Sequence, residues 1–180
     1  MLDNSTIPQV PTLRILGIHF DPRLTWRAHI DIKINSCTRY LSWFRRLVWT
    51  PGLSRRWRRT AYIALLRSRL CYGNVVYGAA SQRQLRRLSV YQNNCLRGIL
   101  NVRLRDRVPI AELQGRTGVE SIGAHFGKCQ LRYITCASQH VPPIREDIEA
   151  IRNYQVAGLR GPIVVMNRLL GDEPLPAPVI

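Results

Sequence analysis

Arginines are the residues with the clearest chemical potential in this sequence. Of its 27 basic residues, only Lys33 and Lys128 are lysine, and the formal net charge is +16. The segment from Ile32 to Arg105 carries 16 basic residues and no Asp or Glu, whereas the rest of the chain carries 11 of each sign. Guanidinium groups donate paired hydrogen bonds to phosphate oxygens. This one-sided charge predicts a polyanionic partner, namely RNA, DNA or an RNA–DNA hybrid.

Carboxylates that could hold catalytic metal ions are scattered along the chain. Two-metal phosphoryl transfer needs acidic side chains that hold the ions about 3.5–4 Å apart. The sequence contains no Tyr-x-Asp-Asp pattern, and Glu146, Asp147 and Glu149 share a stretch whose ordinary role is a solvated helix face. It also contains no Walker-type loop and no Gly-x-Ser-x-Gly elbow. We therefore predict no catalytic residues in this chain.

His125, Cys129, Cys136 and His140 have the side-chain types of a zinc site. On one straight helix the two histidines would lie about 22 Å apart at 1.5 Å per residue, whereas one zinc ion needs its ligands within roughly 2.0–2.3 Å. Packing of the cysteines as small apolar groups is the simpler interpretation. We assign no metal and no cofactor, and a zinc-stapled interaction module stays a hypothesis that stoichiometric zinc would support.

Amphipathic helices are the elements that would position the arginines. Apolar residues recur at helical spacing, and arginines fall mostly on the opposite faces. Pro51-Gly52 separates a first helix, starting at Arg23, from a second, and Ser54 and Ser81 are placed to cap the second and third helices. The predicted apolar faces are Trp26, Ile30, Cys37, Tyr40, Leu41, Phe44, Leu47 and Val48 in the first helix, Trp57, Ala61, Ala64, Leu65 and Tyr72 in the second, and Leu85, Leu88, Tyr91, Cys95, Leu96 and Ile99 in the third.

Tryptophan side chains could stack on nucleic-acid bases. Trp26 and Trp57 fall on the apolar faces, which predicts that they pack in the core. The stacking role therefore stays open only for Trp43 and Trp49.

Shorter segments flank the helices. Leu13–Phe20 is an apolar run that ends at the Asp21-Pro22 turn, which predicts a short strand or β-hairpin. Past Arg105, Pro109–Leu113 could open a short helix and Ser121–Gln139 a long one. The predicted fold is mainly α: a bundle of amphipathic helices, preceded by a short β-hairpin or strand and followed by an irregular C-terminal tail.

Composition also predicts where the protein resides. The five cysteines are odd in number and widely spaced, which favours reduced thiols in an intracellular compartment, nuclear or cytoplasmic. No run of 18 or more apolar residues is present, so we predict no membrane partner.

Four ordered blocks of sequence share their patterns with one family. "LRILGIHFDPRLTWRAHI" (13–30) resembles the (Y/F)-L-G-(V/I)-x-hydrophobic-D-x-x-L-T-W-x-x-H-(I/L) pattern that follows the catalytic palm of non-LTR (LINE-type, Jockey-like) retrotransposon reverse transcriptases. "AYIALLRSRLCYGNVVYGAA" (61–80) is similar to that family's thumb helix. "LRRLSVYQNNCLRGIL" (85–100) and "DRVPIAELQGRTGVESI" (106–122) resemble its next two segments, with Val108 and Ser121 departing from the usual Thr and Pro. Their order and spacing make the resemblance fairly specific.

The resemblance implies a role for each part of the chain. Leu16 and Gly17 match the family's primer grip, a β-hairpin that places the primer 3′ end against the palm. The palm, with its Mg²⁺-binding aspartates, would precede this sequence, so the chain alone is expected to be inactive. The implied segments are a strand or hairpin continuing a missing palm (1–22), an arginine-rich helical thumb (23–105), a helical connection (106–155) and an irregular tail (156–180).

The thumb of this family lies along the template–primer duplex, which agrees with the arginine faces inferred above. Contacts from guanidinium groups to phosphates position a protein without reading sequence. For each arginine a solvated surface role is the alternative. The residues predicted to bind nucleic acid are Arg55, Arg56, Arg58, Arg59, Arg83, Arg86, Arg87 and Arg97.

Two functional hypotheses follow. The first is a C-terminal fragment of an RNA-directed DNA polymerase of a non-LTR retrotransposon, which binds template–primer nucleic acid and lacks the catalytic palm. The second is a free-standing, arginine-rich helical RNA-binding protein, which explains the charge but not the strand–turn–helix opening. Many decayed genomic copies would favour the first hypothesis, and one intact locus the second.

Overall fold

The structure, a computed structural model, describes residues 10–48, 50–78, 80–140 and 146. It is mainly helical with one N-terminal β-hairpin, so the predicted fold class is confirmed. The predicted tail, 156–180, lies outside the described residues, as does Trp49. The helices are α1 (Arg27–Val48), α2 (Arg55–Ala61), which continues through a π-helical stretch (Tyr62–Arg67) into α3 (Ser68–Cys71), then α4 (Asn74–Tyr77), α5 (Gln82–Leu100), a 3₁₀ turn (Leu104–Asp106), α6 (Ile110–Thr117) and α7 (Ile122–His140).

The hairpin consists of strands β1 (Leu13–Ile15) and β2 (Ile18–Phe20), which pair antiparallel. Leu16 and Gly17 form the two-residue turn, with φ of 48° and 80°. Positive φ at both positions matches the twist of paired strands, which is why such turns close hairpins. The turn that the resemblance singled out is therefore a tight hairpin loop.

A turn around Asp21 joins the hairpin to α1. The Asp21 carboxylate accepts hydrogen bonds from the backbone N–H groups of Arg23 (3.2 Å), Thr25 (2.9 Å) and Trp26 (2.9 Å). Burial raises the pKa of Asp21, but the hydrogen bonds from Thr25, Trp26 and Arg23 outweigh burial and leave it lowered. Since Trp26 has a positive φ of 62°, α1 begins at Arg27 rather than at the predicted Arg23.

One hydrophobic core joins the hairpin to the helices. Helix α5 packs against α1, α2, α6 and α7, and Ile18 brings the hairpin into the same core. The predicted inward faces of the first and third helices are confirmed for most residues, including Trp26, but Tyr40 is exposed, and the side chains of Leu47 and Val48 lie outside the described ones. Among those that are buried are Ile30, Cys37 and Phe44 on α1 and Leu88, Cys95, Leu96 and Ile99 on α5.

The predicted apolar face of the second helix is shifted, and of its five residues only Ala61 is partly buried and packed against the core. Trp57, Leu65 and Tyr72 are 65%, 43% and 54% exposed, so the core packing predicted for Trp57 does not occur. The π-helical stretch explains the shift, because its i→i+5 hydrogen bonds widen the turn beyond 3.6 residues and keep residues four apart on one face. The side chains that are buried instead are Tyr62, Leu66 and Leu70.

The segment between α3 and α4 packs the hairpin against the helices. Gly73 has a φ of +74°, and a Cβ at this position would lie 2.9 Å from Ile18 Cδ1. Tyr77 is fully buried, its hydroxyl donates to the Leu70 carbonyl, and its ring centroid lies 4.7 Å from that of His29. Gly73 and Tyr77 therefore serve close packing.

Candidate nucleic-acid interface

Exposure divides the eight arginines predicted to bind nucleic acid into two sets. A guanidinium group can bind an external phosphate only where it is accessible and has no competing partner inside the fold. Those exposed are Arg55, Arg56, Arg83 and Arg86, and those half-buried are Arg58, Arg59, Arg87 and Arg97.

Arg55 and Arg59 form contacts within the fold. Arg55 Nη1 donates to the Arg116 carbonyl at 3.4 Å. Arg59 Nη2 donates to the Gly118 carbonyl at 3.1 Å. These bonds satisfy carbonyl groups at the end of α6, where a helix leaves its last carbonyls without intrahelical donors. Both arginines therefore have a structural role that the sequence did not indicate.

Arg87 also has partners within the fold, and Arg58 is half-buried. Arg87 forms an ion pair with Asp31 and donates to Gln84 Oε1 at 2.9 Å. Arg58 Nε is buried and has no hydrogen-bond partner in the described part of the chain. Asp31 directly precedes the carboxylate-free segment, so the acidic partner of Arg87 comes from outside that segment.

Arg56, Arg83 and Arg86 are the freest of the eight. All three are exposed, and none of their guanidinium groups has a hydrogen bond or ion pair within the described part of the chain. Arg86 lines a groove of about 580 Å³ between α5 and α7. Arg83 and Arg86 stand in the first turns of α5, and they are available to an external anion.

Arg97 lies at the other end of α5, beside Arg45, which the sequence analysis did not select as a candidate. Arg97 and Arg45 line one groove of about 340 Å³ between α1 and α5, together with Asn94. Because α5 rises 1.5 Å per residue, Arg83 and Arg97 stand about 21 Å apart along its axis. The candidate phosphate contacts on α5 therefore lie near its two ends.

A second basic feature lies beside the hairpin turn. Gly17, one of the two predicted primer-grip residues, lines it, while the Leu16 side chain is 84% exposed. We call this feature the turn pocket; its volume is about 380 Å³. Its lining residues are Gly17, Lys33, Ser36, Cys37, Ser68, Arg69 and Tyr72.

Two cations converge on the turn pocket. Lys33 Nζ donates to the Arg69 carbonyl at 3.3 Å and lies 4.6 Å from the centroid of the Tyr72 ring. The Arg69 guanidinium lies 3.9 Å from the centroid of the Tyr40 ring. Burial lowers the pKa of Lys33, which shows that the protein provides poor solvation for this charge. The sequence analysis missed this pocket; the only local signal for it was the spacing of Lys33, Ser36 and Cys37 on one helical face.

The described carboxylates do not form a site for catalytic Mg²⁺. Asp21 caps the turn before α1, and Asp31 pairs with Arg87. Glu120 pairs with Arg67 at 3.5 Å and with Lys128 at 2.6 Å, and Glu112 and Asp106 have partners in or next to their own helices. Each of these five carboxylates is already engaged, and no group of three or more potential ligands is found among the described residues, so we derive no metal-dependent step for this chain.

The histidine and cysteine set considered for zinc is spread along α7. Cys129 Sγ lies 3.7 Å from His125 Nε2, and Cys136 is exposed. Among the described residues, no group of three or more His, Cys, Asp or Glu side chains is arranged to hold a metal ion.

Two general findings concern membranes and similarity to known proteins. None of the described helices combines the length and the hydrophobicity needed to cross a membrane. No protein-family model, curated protein or solved structure matches this chain.

Proposed function

We propose that this chain is the thumb and connection region of a non-LTR retrotransposon reverse transcriptase, which binds template–primer nucleic acid and performs no catalysis by itself. The observation that carries the proposal is the set of exposed arginines Arg56, Arg83 and Arg86. They have no acidic partner among the described residues, and they lie in a segment without a single carboxylate. Like charges repel one another, and a polyanion beside them relieves this repulsion.

An exposed aromatic side chain adds to this support. Trp57 stands next to Arg56 on α2 and is 65% exposed, although the sequence predicted it to be in the core. Trp43 is 70% exposed, and the Arg46 guanidinium lies 6.0 Å from its ring centroid. Exposed rings beside cations are typical of surfaces on which bases stack.

Contacts among the four sequence blocks support the resemblance itself. The Tyr72 hydroxyl of the second block donates to the Leu16 carbonyl of the first at 3.0 Å. The Tyr62 hydroxyl donates to Gln92 Oε1 of the third block at 3.1 Å. Gln92 Nε2 in turn donates to the Glu120 carbonyl of the fourth at 2.9 Å. The four blocks are thus joined by hydrogen bonds of side chains, as expected of segments that belong to one fold.

Salt-dependent binding tests the proposal. A fluorescein-labelled RNA–DNA hybrid of about twenty base pairs would be titrated with the protein by fluorescence anisotropy from 50 to 200 mM KCl. With 6–10 phosphate contacts, the affinity should fall about 10³–10⁵-fold across this range. An affinity that is independent of salt would contradict the proposal.

Substrate preference separates this function from the alternative of a free-standing RNA-binding protein. A single-stranded RNA and a hybrid of equal length would be compared at one salt concentration. A thumb that lies along a duplex should prefer the hybrid, because its phosphates are held in a fixed geometry. A clear preference for single-stranded RNA would favour the alternative.

A primer-extension assay tests the absence of catalysis. With Mg²⁺ or Mn²⁺ and all four deoxynucleotides, we expect no extension, because two-metal transfer needs clustered carboxylates. Incorporation by protein free of contaminating polymerase would overturn the proposal.

A further inference from the structure

The turn pocket lacks the acidic partner that two other sheltered basic residues of the described structure have. Arg67, whose side chain is 9% exposed, pairs with Glu120, and the half-buried Arg87 pairs with Asp31. Lys33 is also half-buried, yet no described residue that lines the pocket is acidic. A cation removed from bulk water without an opposite charge is costly. The pocket therefore has room and charge for an external anion.

We propose that the turn pocket binds one phosphate group, held by the Lys33 ammonium and the Arg69 guanidinium. The Ser36 hydroxyl lines the same space and can donate to a remaining phosphate oxygen, whereas the Ser68 hydroxyl already donates to the Ala64 carbonyl. That the phosphate belongs to a nucleic-acid strand passing the hairpin turn rests on the proposed function. Free inorganic phosphate is the other source of the same chemistry.

The shape of the pocket suits a phosphate on a strand. Its volume of about 380 Å³ is large compared with the roughly 30 Å³ that one water occupies, which leaves space for a phosphate with part of its sugar. The glycine of the hairpin turn, Gly17, forms one wall, and an added Cβ there would approach Tyr72 Cε1 at 3.6 Å. The turn backbone is thus held close to the pocket.

Other ligands fit the pocket less well. A metal cation would meet two positive charges and no carboxylate. A thiolate at Cys37 would favour a cation, but burial raises the pKa of this thiol and keeps it neutral. An apolar ligand would leave the Lys33 charge uncompensated. An anion with several acceptor oxygens satisfies both cations and the Ser36 hydroxyl.

Charge-neutralising variants test the pocket. Lys33→Gln and Arg69→Gln should each weaken binding of the labelled hybrid by about ten- to a hundredfold, the usual effect of losing a hydrogen bond between charged groups. Arg39→Gln is the matched control, because it removes one exposed charge from α1 outside the pocket; its affinity should stay within about threefold of the unmodified protein. Pocket variants that lose no more than Arg39→Gln would overturn the pocket and leave the proposed function standing.

Inorganic phosphate distinguishes the two sources. The thermal unfolding midpoint would be measured in phosphate and in chloride of equal ionic strength, with and without Lys33→Gln. If the unmodified protein binds no hybrid but phosphate raises the midpoint through Lys33, the pocket stands as a free-phosphate site and the proposed function fails. If neither phosphate nor hybrid binds, both are overturned.

Ser36→Glu provides a second variant that does not remove a native cation. Its carboxylate stands one helical turn from Lys33 and would occupy the place of the phosphate. We expect the unfolding midpoint to rise by about 2–4 °C and hybrid binding to fall at least about tenfold. An unchanged midpoint with unchanged binding would contradict the pocket.

Discussion

The Tyr72 hydroxyl donates a hydrogen bond to the Leu16 carbonyl at 3.0 Å, across 56 residues of sequence. This bond fastens the tip of the hairpin to the end of α3, beside the turn pocket. Lys33 packs on the face of the same Tyr72 ring, so one side chain holds both the turn and the cation. The hairpin is thereby fixed relative to the helices at the point where we expect nucleic acid to pass.

Removing this hydroxyl should loosen the hairpin without disturbing the ring. Tyr72→Phe is expected to lower the free energy of unfolding by about 0.5–1.5 kcal/mol, the net value of one hydrogen bond. Urea denaturation would measure the loss. Tyr133→Phe is the control, since Tyr133 is 53% exposed on α7 and should change stability by less than about 0.5 kcal/mol. Equal effects of the two variants would contradict a structural role for the bond.

Gly73→Ala should be among the most damaging small substitutions. Its φ of +74° disfavours any residue with a Cβ, and that Cβ would lie 2.9 Å from Ile18 Cδ1. We expect a loss of about 2–4 kcal/mol from backbone strain and overpacking together. Thermal and urea denaturation would measure it.

Two further variants separate strain from overpacking at Gly73. Ile18→Val removes the methyl group that the new Cβ would meet, so the double variant Ile18→Val/Gly73→Ala should lose less free energy of unfolding than the sum of the two single losses. In contrast, Gly115→Ala places a Cβ where nothing lies within 4 Å, and it should stabilise α6 by about 0.4–1 kcal/mol. Strict additivity with Ile18→Val would show that the contact is not the cause.

His29 should make stability depend on pH. Burial, with smaller effects from Lys33 and His19, lowers the pKa of His29 to about 4, while the unfolded residue titrates near 6.5. Between these values the unfolded chain binds a proton that the folded protein does not, so stability is complete above about pH 6.5 and declines as the pH falls toward 4. The loss should amount to about 3 kcal/mol, measured as the free energy of unfolding at a series of pH values.

His29→Asn is the control for this pH dependence. The backbone N–H of His19 donates to His29 Nδ1 at 3.1 Å, and the Asn carbonyl oxygen can accept the same bond without titrating. The variant should be less stable at pH 7, because a smaller side chain leaves a gap beside Tyr77. Its stability should nevertheless change less between pH 6.5 and 4. A slope equal to that of the unmodified protein would place the titrating group elsewhere.

Local patterns predicted most of the elements of this fold but not all of their contacts. The hairpin and the inward faces of α1 and α5 follow from apolar spacing, which is a property of neighbouring residues. The second helix was misjudged because a π-helical stretch changes the period, and no residue type announces such a stretch. Asp21 was recognised as part of a turn, but its three backbone hydrogen bonds depend on the path of the whole turn.

The candidate site was harder to predict than the fold. Charge counting found the arginine-rich segment, yet the partners of Arg87 and Arg67 are Asp31 and Glu120, which flank the segment rather than lie within it. Which arginines remain free therefore depends on tertiary contacts. The turn pocket was missed for the same reason, because Lys33 and Arg69 are 36 residues apart in sequence.

Separating free from paired arginines gives the sharpest test of the interface. Arg83→Glu combined with Arg86→Glu should weaken hybrid binding by at least about tenfold and reduce the salt slope by about 2, because two phosphate contacts are lost. Helicity by circular dichroism and the unfolding midpoint should stay close to those of the unmodified protein, since neither side chain has a partner among the described residues.

Arg87→Glu is the matched control on the same helix, and it should give the opposite pattern. It replaces the ion pair between Arg87 and Asp31 with two like charges, so the unfolding midpoint should fall. The pair is partly exposed, which keeps the expected loss to about 1 kcal/mol. Hybrid binding should change less than in the double variant, because Arg87 is already engaged inside the fold. If Arg87→Glu weakens binding as much as the double variant while the midpoint stays unchanged, the paired arginine faces the nucleic acid and our division of the arginines is wrong.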